Sequence, residues 1–162
     1  MGDIVWLLNY MVTHPDATLH YYARKMILHV ASDASYIYEE KSHSQAGGHF
    51  PLFDRINKSP TLPTNNGAIQ TLSHMIKTVM SSAAESEIGA TFLNAKDALP
   101  ICTTLKELVH PQPPTTMQVD NNTAVYFAND TINQKKSKAI DMRFYWTRNR
   151  TRQGHLKIYW DP

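Results

Sequence analysis

The sequence predicts an α/β fold in which helices flank a mixed sheet. Three observations carry that expectation. Strand-like runs come first, at residues 18–23, 26–36, 45–53 and 68–76, with turn chemistry between them. A long helical period follows at residues 82–109. The remaining strand candidates, 115–120 and 155–161, are separated by helical stretches. Successive strands joined by turns pair antiparallel and strands joined through helices pair parallel, so this order implies a sheet of both kinds.

Taken in order, residues 4–12, IVWLLNYMV, have helical periodicity and stop at THPD, where the residue before Pro15 is biased out of the helical region. TLHYYA and MILHVASDASY read as strands, the second bounded by a turn at Arg24 and Lys25. In QAGGHFPLF the glycine pair suggests a bulge or a close backbone approach, and Pro51 an edge strand or a break. DRINKSPTLPTNNG is loop, its NNG is hairpin chemistry, and AIQTLSHMI returns as a strand. From Ser82, residues Ala84, Ile88, Thr91, Ala95, Ala98, Cys102, Leu105 and Val109 recur at helical spacing, and Pro100 is expected to kink this helix or divide it. HPQPP links it to the strand TTMQVD. NNTAVYFAND starts a second helix, residues 138–152 form a third closed by Gly154, and HLKIYWD is the last strand.

The length of 162 residues, 42% hydrophobic and 19% charged, suits one domain with its own core and argues against a disordered or fibrous chain. IVWLLNYMV is too short to span a bilayer and lacks the basic start and cleavage site of a secretory signal. The tripeptides NNT, NDT and NRT are therefore set aside as glycosylation sites. The single Cys102 excludes an internal disulfide, suits a reducing compartment, and reads as buried on its helix rather than nucleophilic. The histidines do not read as a zinc site, since His43 and His49 share no spacing with a cysteine. Trp6, Trp146 and Trp160 read as core or interface.

Charge is unevenly placed. Eight of the 16 lysines and arginines lie between residues 135 and 157, against the single acid Asp141. A basic run is commonly a solvated helix face. Here Phe144, Tyr145 and Trp146 interleave with the charges, which favours a nucleic-acid contact. Among the acids, Asp33 and Asp120 each end a strand candidate, and neighbouring strand ends would bring them together. Either can equally be a turn or helix cap, Asp120 in DNN above all. With a helical glutamate they would form an anionic pocket whose natural tenant is a divalent metal. Mg²⁺ prefers hard oxygen ligands and works with phosphates, so the chemistry suggested is phosphodiester hydrolysis.

The runs HVASDASY, MSSAAESEIGA, MQVDNNTAV, KSKAIDMRFYWTR and LKIYW together resemble the ribonuclease H domain of copia-type retrotransposon polyproteins, over nearly the whole chain. The resemblance implies a ribonuclease H-like fold, a five-stranded mixed sheet flanked by helices, that cuts the RNA strand of RNA–DNA hybrids during retroelement reverse transcription. It implies Asp33, Glu87 and Asp120 as the catalytic and metal-binding carboxylates. They would hold two Mg²⁺ ions, with Mn²⁺ an alternative, one activating water and the other stabilising the leaving 3′ oxygen. Asn121, Lys135, Lys136, Lys138, Arg143, Arg148, Arg150 and Arg152 are the nucleic-acid-binding set implied, while Asp141 reads as a structural partner of the basic helix.

On this resemblance residues 1–22 are a helix and connection from a reverse transcriptase domain, and 23–162 a ribonuclease H-like domain shortened at its C-terminus, since the family's fourth carboxylate follows the last strand. The expected setting is a cytoplasmic retroelement particle or the nucleus, without membrane or secretion. The alternative function is a non-catalytic nucleic-acid-binding module on the same fold. Glu85 and Glu87 lie ~200° apart on a helix, so one metal site can hardly use both. Periodicity does not choose between them. The family pattern, a glutamate followed by an apolar and then small residues, fits EIGA at Glu87.

Overall fold

Leu28, Val30 and Ser32, two residues apart along one strand, are buried on the same face, and this sidedness organises the sheet. The computed structural model describes residues 2–21, 25–39, 42–53, 67–129 and 138–160. The elements are α1 (Gly2–Thr13), β1 (Ile27–Glu39), β2 (His43–Phe53), β3 (Ala68–Ile76), α2 (Ala83–Glu107), β4 (Thr115–Val119), α3 (Asn122–Ala128), α4 (Lys138–Arg152) and β5 (Leu156–Trp160). They build a five-stranded sheet in the order β3-β2-β1-β4-β5. The β2 strand pairs antiparallel with both β1 and β3, and β4 pairs parallel with both β1 and β5. The mixed sheet expected from the order of elements is the one observed.

One sheet face carries Leu28, Val30, Phe50, Leu52, Met117, Val119, Leu156 and Ile158, all buried in one core with Ala95, Ala98, Cys102 and Leu105 of α2. Removal of these apolar side chains from water is the main stabilising term, roughly 1.5–3 kcal/mol for each large one. The α3 and α4 helices pack beside α2 on the same side, and Phe92 of α2 meets Trp146 of α4 edge to face at 5.3 Å. Gln112 closes the crossover into β4. Its Oε1 accepts the Leu28 amide at 2.9 Å and its Nε2 donates to the Met26 carbonyl at 2.8 Å, fixing the linker against the start of β1.

Several expectations are corrected. Thr18–Tyr21 is not a strand: the segment meets the start of β3 without forming a ladder. There the His20 carbonyl accepts the Gly67 amide at 2.9 Å and Tyr21 Oη donates to the Ala68 carbonyl at 3.0 Å. The rest of that predicted strand, 22–24, lies outside the described residues, as does the predicted loop over 54–66. Pro51 neither ends β2 nor marks an edge, because β2 is interior and absorbs the proline at a register shift against β3. Pro100 does not divide α2, which runs unbroken for 25 residues, held on either side of the proline by buried Ala98, Cys102 and Leu105. Of the two expectations for Trp6, core or interface, burial in the core is ruled out: it is 81% exposed on α1, a helix that buries none of its residues.

Candidate metal and catalytic site

The three carboxylates arrive at one place from three elements. Asp33 lies on β1 opposite Gly47 of β2, and Asp120 directly follows Val119, the last residue of β4 and two positions beyond the partner of Ala31. Asp33 does not end its strand as expected, since β1 continues to Glu39; because β4 runs parallel to β1 and stops at Val119 opposite Ser32, Asp120 comes beside Asp33 midway along β1. Asp120 is not the cap of α3. Asn121, not Asp120, directly precedes α3, and its carbonyl accepts the Ala124 and Val125 amides at 3.1 and 3.3 Å. The Asp120 carbonyl in turn accepts the Trp160 indole N–H at 3.0 Å, which ties the end of β4 to β5.

Glu87 comes from the first turns of α2. The helix starts at Ser82, whose Oγ accepts the Glu85 amide at 3.2 Å, and Glu85 reaches back to accept from the Ser81 amide at 2.7 Å and from the Ser81 hydroxyl. Glu85 is thus spent on the helix terminus. Two residues on, Glu87 points under the sheet and is buried. Its Oε1 accepts the Ala34 amide at 3.1 Å, and the same amide donates to Asp33 Oδ1 at 2.8 Å. Asp33, Glu87 and Asp120 each offer an oxygen, all three lying within 4.8 Å of one another.

Burial pushes the Glu87 carboxyl up to about 8, and the Asp120 and Asp33 charges push the same way against the opposing Ala34 N–H. Glu87 Oε2 is buried with no hydrogen-bond partner. Three clustered hard oxygen donors and one orphaned buried carboxylate oxygen fit a divalent cation, which would supply the missing partner and offset the mutual repulsion.

The helix is held to the strands by Asn94, which is fully buried and donates from Nδ2 to Ser32 Oγ and to the Gly47 carbonyl, both at 2.8 Å. A Cβ on Gly48 would lie 1.9 Å from Asn94 Oδ1, so the close approach suggested by the glycine pair is real and belongs to Gly48. Sequence reading did not single out Asn94. The signal was present as a polar residue between Thr91 and Ala95 on the helix's buried stripe.

Behind the aspartates on β1 sits buried His29. Its Nδ1 lies 2.8 Å from Thr116 Oγ1, its ring packs 5.1 Å from that of Phe53, and burial pushes its pKa down to about 4. It is therefore neutral at physiological pH.

Of the residues expected at a nucleic-acid surface, Lys135 and Lys136 lie outside the described residues, and Lys138 is described only as the first residue of α4. Arg143 donates to Thr78 Oγ1 at 2.8 Å, joining α4 to the segment that enters α2. The Arg150 guanidinium stands 5.3 Å from the centre of the Trp146 ring and donates to Gln153 at 3.2 Å. Arg148 and Arg152 continue along the same helix, while Asn121 is engaged at the start of α3.

No protein-family model and no curated protein sequence matches this chain. Solved structures do. LC11 ribonuclease H1 in complex with an RNA/DNA hybrid, an enzyme isolated from compost by a metagenomic approach, superposes with a TM-score of 0.56 at 9% identity, over 83% of this chain and 85% of that one. The PFV ribonuclease H domain gives 0.52 at 16% identity, over 86% and 80%. A Mycobacterium tuberculosis N-terminal ribonuclease H domain gives 0.54 at 11%, over 83% of each chain. The CSH mutant of prototype foamy virus protease-reverse transcriptase gives 0.51 at 15%, over 90% of this chain and 19% of that one. With its β3-β2-β1-β4-β5 mixed sheet and flanking helices, the chain has a ribonuclease H-like fold.

Proposed function

We propose that this chain is a divalent-metal-dependent endonuclease that cuts the RNA strand of RNA–DNA hybrids, acting in retroelement reverse transcription of the copia type. The observation that carries the reading is the convergence of Asp33, Glu87 and Asp120 within 4.8 Å where β4 ends beside β1 in a ribonuclease H-like sheet. The hybrid bound by the compost enzyme supports the choice of substrate.

In this mechanism Asp33, Glu87 and Asp120 would hold a pair of Mg²⁺ ions, or Mn²⁺ in their place. When bound, the cations supply positive charge to the scissile phosphate and lower the pKa of a coordinated water. The chain's own contribution is placement. Asp33 and Asp120 are fixed by strand register, and Glu87 is oriented by the Ala34 amide and carried on a helix pinned through Asn94. The carboxylates serve as ligands, so no covalent intermediate on the protein is required. The basic α4, with Arg143, Arg148, Arg150 and Arg152, contacts backbone phosphates, as does Asn121 at the start of α3.

Residues 1–22 form the connection from a reverse transcriptase domain, and 23–162 the nuclease domain. The α1 helix supports this. Ile4, Val5, Trp6, Leu7, Leu8 and Val12 are all at least half exposed, and a helix apolar on every side needs a protein partner to cover it. No helix among the described residues is long and apolar enough to cross a membrane. The proposed setting is a cytoplasmic retroelement particle, with access to the nucleus.

Incubation with a hybrid labelled on its RNA strand tests the reading. Mg²⁺-dependent shortening of the RNA, suppressed by chelation, is expected. Hybrid binding without any metal-dependent cutting would replace the nuclease with the non-catalytic binding module.

A further inference from the structure

One edge of the sheet is β3, and its 9 residues, AIQTLSHMI, include no Lys, Arg, Asp, Glu or Pro. Every second residue of an edge strand turns its N–H and C=O away from the neighbouring strand, where another chain can pair with them. Charges, prolines or a short strand ordinarily guard such edges. The opposite edge is guarded in this way, since β5 has 5 residues and includes Lys157. On β3 only the start is engaged: the Gly67 amide donates to the His20 carbonyl, and the Ala68 carbonyl accepts from Tyr21. Among the described residues β2 is the sole strand that pairs with β3. The helices leave this side open, with α2 packed chiefly over β1 and β2 and with α3 and α4 beside β5.

The strand is a chemical palindrome about Leu72. Laid antiparallel on a copy of itself with Leu72 opposite Leu72, it sets Ile69 against Met75, Gln70 against His74 and Thr71 against Ser73. Ile69 and Met75 are 45% and 43% exposed, large apolar side chains that this pairing would cover. Ser73 accepts from Gln45 Nε2 at 2.8 Å, which leaves its own proton to donate to a facing Thr71 hydroxyl. Gln70 Nε2 is spent on Asp97 at 2.8 Å, which leaves the carboxamide oxygen to accept from a facing His74 ring N–H. No pair in this register brings like charges together. A strand of another sequence would have to reproduce this order of apolar, polar and hydroxyl side chains, and the chain's own copy already does.

We propose that β3 is a self-association edge through which two copies of this chain join, antiparallel and centred on Leu72, in one sheet continuous across both. The contact is isologous, so it closes as a two-fold dimer and leaves no β3 edge for a third copy. Residues Ile69 to Met75 would exchange roughly six to eight backbone hydrogen bonds. A single strand edge covers less than the roughly 1,600 Å² of a standard interface, so the dimer is weak, with a Kd on the order of 10 μM. The pairing does not depend on the nuclease reading, since β2 separates β3 from the strands that bring Asp33 and Asp120 together.

The test is sedimentation equilibrium of the full chain from about 1 to about 200 μM in chelator, a range that brackets the expected Kd. The parent is expected to pass from monomer to dimer across it. Thr71 and Ser73 are exposed, so both accept charged side chains without loss of the core. In the double variant Thr71→Lys with Ser73→Lys, the proposed register sets lysine against lysine at two places, and the dimer should weaken by at least about tenfold. In Thr71→Lys with Ser73→Glu the same positions carry opposite charges, and association should return to within about threefold of the parent. Unfolding midpoints are measured for both variants, and the comparison is made between folded chains. A parent that stays monomeric throughout overturns the proposal. So does a dimer indifferent to the paired lysines, which would form through another surface, and so does equal loss in both variants, which would exclude this register.

Discussion

The Ala34 amide is shared by Asp33 Oδ1 and Glu87 Oε1, at 2.8 and 3.1 Å, so one backbone N–H aligns the strand carboxylate with the helix carboxylate. That single donor cannot satisfy the site, and Glu87 Oε2 is left buried without a partner. The site is thus under electrostatic stress until a cation or a proton enters it. Glu87→Gln removes the charge and keeps the shape. It is expected to raise the unfolding midpoint in chelator, by a ΔΔG on the order of 1–3 kcal/mol, while abolishing metal-dependent stabilisation in differential scanning calorimetry.

The pH dependence of stability separates two buried groups. Glu87 has a folded pKa raised from 4.5 to about 8, so the fold binds a proton there that the unfolded chain releases. Its contribution is full below 4.5 and is lost as pH rises through 8. His29 has a folded pKa lowered from 6.5 to about 4, so its contribution is full above 6.5 and is lost as pH falls through 4. Between 4.5 and 6.5 the two trends oppose each other, and above 6.5 only Glu87 acts. Denaturant titrations in chelator are therefore expected to show stability falling from neutral to alkaline pH, and Glu87→Gln should flatten that slope. The His29 contribution, on the order of 3 kcal/mol at most, should vanish from the acid limb in His29→Phe.

Gly48 and Asn94 are predicted to be energetically coupled. Asn94→Ala removes two hydrogen bonds and is expected to cost about 2 kcal/mol. Gly48→Ala drives a Cβ into the Asn94 amide and is expected to cost about 1–3 kcal/mol. In the double variant the clash has no target, so the two costs should fall short of adding by more than about 0.5 kcal/mol in a urea double-mutant cycle.

The basic helix is predicted to act through phosphates. Arg150→Ala should weaken hybrid binding similarly for unrelated sequences. It should also reduce the magnitude of the slope of log K against log salt by about 1, read by anisotropy across a salt series. Because Arg150 also covers Trp146, Arg150→Lys is the control that keeps charge while losing the planar stack.

Much of this was readable in the sequence where a local rule governs. Alternation and helical period located β1, β2, β3, α2, β4, α4 and β5 in order, because each packs side chains against a buried cluster. Thr18–Tyr21 has the aromatic content of a strand, but a strand exists only where a ladder forms, and pairing is a property of the whole sheet rather than of the segment. Pro100 breaks a local rule and is overridden by the packing on both sides of it. Glu85 and Glu87 were indistinguishable by period. The spacing of Ser82 and Glu85, a serine followed three residues later by a glutamate at a helix start, carried the answer to what Glu85 does.

The central claim is that Asp33, Glu87 and Asp120 form a metal site that cuts RNA, and one comparison of variants addresses it most directly. Mg²⁺-dependent cleavage of an RNA–DNA hybrid is measured for the parent, Asp33→Asn, Asp120→Asn, Glu87→Gln and Glu85→Gln, with hybrid binding checked for each. The account predicts cutting by the parent, no cutting by the first three variants despite retained binding, and only weakened cutting by Glu85→Gln. Cutting that survives Glu87→Gln but disappears in Glu85→Gln would contradict it.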